Sequence, residues 1–74
     1  MKLTTVESSM VHAVGYDPDT QTLEVVFNSG KAFQYYDVPP EVYEELMSAK
    51  SKGHYMRNFI IDVYEWAPLK KRRR

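Results

Sequence analysis

The sequence predicts an α+β domain: a three-stranded antiparallel meander followed by two helices packed on one of its faces, β-β-β-α-α. Three observations predict it. Apolar residues alternate over 22–27 and 31–36, the period of a half-buried strand. Clusters of turn-forming residues, Asp17-Pro18-Asp19-Thr20-Gln21 and Asn28-Ser29-Gly30, separate the extended stretches. From Val42 onward the period becomes helical, first through Leu46 and Ala49, then through Tyr55, Met56, Phe59, Ile60 and Val63.

The first strand is expected over 8–16 (SSMVHAVGY), the second over 22–27 and the third over 31–36. A three-residue loop with Gly30 left-handed pairs Phe27 with Lys31, Val25 with Phe33 and Leu23 with Tyr35. A one-residue slip would set Val25 against Gln34 and mix the faces, so this register is the consistent one. In the first strand Val11 and Val14 cannot both face a core without a bulge, and a bulge near Gly15 would reconcile them. The same parity puts Met10, His12 and Tyr16 with Tyr36 and Val26 on the outer sheet face. Pro39-Pro40 opens the first helix, with Glu41, Glu44 and Glu45 near its positive end. Ser51-Lys52-Gly53 closes it, Gly53 being the expected left-handed cap. The second helix is expected over about 54–65, stopped by Pro68.

Seventy-four residues make one domain, here 1–69, followed by a basic flexible tail at 70–74. With no cysteine there is neither a disulfide nor a thiolate metal site, and small domains without such staples often recruit an identical partner. A homo-oligomer is therefore expected. No apolar run approaches the length needed to span a bilayer, and no signal peptide opens the chain, so a cytoplasmic location is expected. The zero net charge conceals an asymmetry: Lys70-Lys71-Arg72-Arg73-Arg74 supplies 5 of the 10 basic residues, leaving 5 basic against 10 acidic in 1–69. A folded nucleic-acid binder usually lines one face with its basic residues, whereas a terminal basic run is a general hook for polyanions or simply a solvated end.

Ser8-Ser9, Gly15-Tyr16-Asp17, Leu23-Glu24-Val25, Gly30 with Phe33-Gln34-Tyr35-Tyr36-Asp37-Val38-Pro39, Val42-Tyr43, Ser51-Lys52-Gly53, Ile60 and Tyr64 follow one another in the order and spacing of a known pattern. Over about 8–64 the chain resembles the KTSC family, a small domain named for its occurrence at the C-terminus of some lysyl-tRNA synthetases and found alone in bacterial and phage proteins. The resemblance implies no established activity; the fusion to a synthetase points to RNA. The chain departs from the pattern at Phe33, where the family's Tyr-x-Tyr has its first tyrosine, and at Arg57 and Ile61, where the family usually has Asn and Arg.

Catalysis finds no support in the residues. His12 and His54 fall in separate elements, Ser8 and Ser9 have no local base, and no metal-ligand spacing or glycine-rich phosphate loop occurs. No catalytic residue, metal or cofactor is expected. The sharpest anion site is Lys50, Lys52, Gly53, His54, Tyr55 and Arg57: three fixed positive charges without an acid, at the start of a helix. The plainer reading of the same segment is a solvated turn between helices. His12, Tyr16 and Tyr36 on the outer sheet face suit either a dimer interface or a platform on which bases stack.

These readings converge on a non-catalytic module binding a phosphate-bearing nucleotide ligand, RNA first. The alternatives are a small oligomer that captures a soluble nucleotide, as a phage-type sequestering protein would, and a protein-protein adaptor. If the tail is a general hook, deleting 70–74 weakens polyanion binding for all sequences alike. Titrations at several salt concentrations should then lose up to about 3.5 in the slope of log K against log salt, roughly 0.7 per phosphate contact. An unchanged slope would contradict the hook.

Overall fold

The structure, a computed structural model, describes residues 3–69; the basic tail lies outside the described residues. Among the described residues the sheet has five strands rather than three: β1 (Leu3–Thr5), β2 (Val11–Asp17), β3 (Thr22–Phe27), β4 (Ala32–Tyr35) and β5 (Trp66–Pro68), all antiparallel and in chain order. The three central strands are those expected from the alternation. The two edge strands have three residues each, too few for a period to show. β5 also contains Pro68, whose missing N–H is tolerated because the strand lies at the edge.

The β3–β4 hairpin has the expected register: Leu23 pairs Tyr35, Val25 pairs Phe33 and Val26 pairs Ala32. Gly30 turns the chain at φ +96°, a conformation that side chains with a Cβ rarely adopt. In β2 the bulge falls at His12, between the Val11–Phe27 and Ala13–Val26 pairs, and not near Gly15. The extra residue turns both Val11 and Val14 into the core, where each is 0% exposed. Ser8 Oγ braces the entry to the strand by accepting from the N–H groups of Met10 (3.1 Å) and Val11 (3.2 Å).

Helix α1 (Pro40–Ser48) starts with Pro40 in its first turn and Glu41 beside its positive end. It ends earlier than expected, at Ala49, whose extended backbone donates to the Leu46 carbonyl. Gly53 is therefore not its cap. It belongs to a second helix, α2 (Lys52–Tyr55), which widens into a π-helical turn over Met56–Ile60, and the helix stops there instead of near 65. Leu46, Met56 and Ile60 complete a core with Val11, Val14, Leu23, Val25, Tyr35 and Val38. Among the described residues no helix is long and apolar enough to cross a membrane.

Gly53 is needed for close approach. A Cβ built there would lie 3.0 Å from Met10 Sδ and 3.1 Å from Met10 Cβ, so Met10 or α2 would have to give way by a few tenths of an ångström. Gly53→Ala should lower stability despite the better helix propensity of alanine. In a Met10→Gly background, which removes both contacting atoms, the same substitution should become neutral or stabilise by up to about 1 kcal/mol, the propensity difference alone. Urea unfolding of the four variants tests this, and the same sign in both backgrounds would contradict it.

Candidate functional site

Strand parity puts Leu23, Val25 and Phe27 of β3, Phe33 and Tyr35 of β4, and Trp66 of β5 on the face that the helices cover. The helices cover only part of it. Beyond them an open groove of about 630 Å³ lies between the sheet and the second helix. An aromatic row crosses it: Phe27 meets Phe33 edge-on at 5.7 Å, and Phe33 meets Trp66 edge-on at 5.2 Å. Trp66 is 50% exposed, an unusual state for so large an apolar side chain. Met10 and Ile61 add apolar wall, Arg57 and Asp62 bring one charge of each sign, and Ser9, Asn28 and Ser29 supply polar groups.

Two local features shape this groove. The π-helical turn closes with a hydrogen bond from Ile61 N–H to the Met56 carbonyl at 2.6 Å, spanning five residues. Such turns recur at functional sites because they re-aim the side chains that follow. Met56 and Ile60 enter the core, while Arg57 and Ile61, one position later in each case, line the groove. Tyr35 is buried and forms the deep part of the wall. Burial raises the pKa of its hydroxyl above the ordinary tyrosine value, and the nearby Asp62 carboxylate adds to the rise.

Of the residues expected to form an anion site, Arg57 alone reaches the groove. Lys50 and His54 are exposed, and Lys52 Nζ donates to the Ala49 carbonyl at 3.0 Å, where it satisfies the end of α1. Ser51 Oγ accepts from the His54 N–H at 3.3 Å, and Gly53 is packed against Met10. Tyr55 donates to Glu45 Oε1 at 2.7 Å, tying the two helices together, and its ring lies 4.8 Å from Phe59.

The outer-face set also divides. Tyr16 lies on the helix side: its ring stacks on Tyr43 at 4.9 Å, and its hydroxyl donates to the Val38 carbonyl at 2.5 Å. The expectation of an outward Tyr16 fails because the bulge sits at His12, before the alternation reaches Tyr16, and not beside Gly15. His12 is exposed at the bulge, and Tyr36 donates to Gln34 Oε1 at 3.3 Å beside a shallow depression that Trp66 also borders. Met10, expected on the outer face with His12 and Tyr16, lies instead on the helix side against Gly53 and lines the groove, because the strand whose parity would turn it outward begins only at Val11. Phe27, Asp62 and Trp66 are not among the residues that the sequence singles out for a site. The available signal was Trp66, the sole tryptophan of the chain, placed between the end of a helical period and a proline.

Among the described residues no three His, Asp or Glu side chains are grouped as metal ligands require. The geometry defines a small sheet-and-helix domain with an aromatic groove. The family model for the KTSC domain matches residues 7–64, and the chain belongs to that family. It is similar to the crystal structure of a KTSC domain protein from Yersinia pestis, with TM-score 0.91 and 32% identity over 93% of this chain and 97% of that one. A protein of Tsukamurella paurometabola is 44% identical over 55 residues, 74% of this chain and 82% of that protein. A lysine–tRNA ligase of Nostoc is 43% identical over 63 residues, 85% of this chain but 11% of the ligase. The chain thus corresponds to a small part of that enzyme.

The Tyr55–Glu45 contact has a pH signature. Burial first, then the hydrogen bond and charge of Glu45, push the Tyr55 pKa up to about 12. A folded-state pKa above the unfolded value of about 10 means that the contribution is intact below pH 10 and is lost as pH rises toward 12. Tyr55→Phe should flatten the fall in urea midpoint between about pH 9 and about pH 12. It should not abolish that fall, because the pKa values of Tyr16 and Tyr35 are raised as well. An identical fall in the variant would contradict the assignment.

Proposed function

We propose that this chain is a non-catalytic cytoplasmic module that binds a phosphate-bearing nucleotide ligand, single-stranded RNA first. The observation that carries the reading is the aromatic row Phe27–Phe33–Trp66 lying open in a groove with Arg57 at its edge. Rings held by their neighbours give bases a rigid surface to stack on, and a guanidinium beside them supplies a partner for phosphate. The described chain ends at Leu69, whose N–H donates to the Ala32 carbonyl at 2.8 Å. Leu69 thus lies beside the end of the β3–β4 turn whose Asn28 and Ser29 line the groove. The Nostoc relative, a lysine–tRNA ligase by name, adds support for RNA.

A second reading, capture of a soluble nucleotide between copies of the chain, is favoured by one observation. Phe59, Val63 and Trp66 expose large apolar surfaces, at 54%, 59% and 50%. Trp66→Ala tests the groove in both readings. For a short single-stranded RNA it should cost roughly tenfold or more in affinity, since stacking on an aromatic is worth about 1–3 kcal/mol per base. Arg57→Ala should lower the salt slope by about 0.7. Unchanged RNA affinity in Trp66→Ala would overturn the groove as the site. Tight mononucleotide binding without RNA retention would select the second reading.

A further inference from the structure

Asp62 is an anomaly in a groove meant for a polyanion. It follows the π-helical turn in a tight turn of its own. Ile61 has φ −64° and ψ 130°, Asp62 has φ +68°, and the Val63 N–H donates to the Ile60 carbonyl at 3.0 Å. These are the marks of a type II turn with Asp62 at its third position, where the left-handed backbone favours Gly or Asn. Three described residues other than glycine have positive φ, namely Gln21, Asp37 and Asp62; of these, Asp62 alone lines the groove. Aspartate tolerates such a backbone, and the turn sets Asp62 at the groove wall, where its carboxylate is available for a role in binding.

The chemistry narrows that role. An ionised carboxylate only accepts hydrogen bonds, so it repels any part of a ligand that presents acceptors. Adenine and cytosine each set a ring-nitrogen acceptor beside their amino group, and uracil flanks its N–H with two carbonyls. Guanine alone sets two donors side by side, N1–H and the 2-amino group, in the spacing that two carboxylate oxygens match. We propose that Asp62 is a specificity-determining residue which accepts both donors of a guanine base seated against Phe33 and Trp66. The inference rests on the nucleotide reading of the groove. Arg57 then takes the phosphate, so the two charges that line the groove have separate partners.

Trp66 is the sole tryptophan, so its fluorescence reports on the groove directly. Titration of the full chain with GMP, IMP, AMP and UMP should give the order GMP, then IMP, then AMP and UMP, with GMP about tenfold tighter than AMP, as for one good paired base contact. IMP keeps N1–H but lacks the 2-amino group, so it isolates the second donor. Asp62→Asn suits the turn and should melt no lower than the wild type. It should bring the GMP-to-AMP affinity ratio close to one, even if the lost negative charge tightens every nucleotide. An unchanged ratio in Asp62→Asn, or a wild type without preference for GMP, overturns the role of Asp62 and leaves the nucleotide groove standing. If neither these mononucleotides nor a short single-stranded RNA perturbs Trp66, both readings fall.

Discussion

One extra residue in β2 sets the rest of the domain. Without the bulge at His12, Val11 and Val14 would point to opposite faces, and one of them would leave the core. With it, both are buried, and the alternation that resumes at Ala13 sends Tyr16 inward to stack on Tyr43 and bond the Val38 carbonyl. That bond anchors the segment leading into α1. On the other side of the bulge Met10 comes against Gly53 and fixes how closely α2 approaches the sheet. The position of one irregular residue thus seats both helices.

The seating also explains why a groove exists at all. α2 is four residues long and passes at once into the π-helical turn, so the second helix ends before it covers the far part of the sheet. Phe27, Phe33 and Trp66 are left with one another for company in place of a helix. Several polar groups of the second helix act within the fold: Lys52 on the end of α1, Tyr55 on Glu45, and Asn58, whose side-chain amide donates to the His54 carbonyl. Arg57 is directed instead to the groove.

How legible each part was in the sequence follows from the range of the interactions that decide it. The β3–β4 register could be read because Gly30, the loop length and the alternation are all local and agree. The start of α1 could be read for the same reason. The place of the bulge could not, since it depends on which residue of β2 the opposite strand leaves unpaired, and that error carried Tyr16 to the wrong face. Edge strands of three residues have no period, and Trp66 gains its meaning only by lying diagonally across from Phe33, 33 positions earlier in the chain. The family resemblance was legible throughout. It marked Phe33, Arg57 and Ile61 as departures, and all three line the groove.

The most direct test is a two-dimensional amide NMR titration of the full chain with a short guanine-containing single-stranded RNA. The groove account predicts that the largest shifts map to Phe27, Phe33, Arg57, Asp62 and the indole N–H of Trp66, while His12, Lys50 and His54 move little. Shifts concentrated on Lys50, Lys52 and His54, or on His12 and Tyr36 across the outer sheet face, would contradict it.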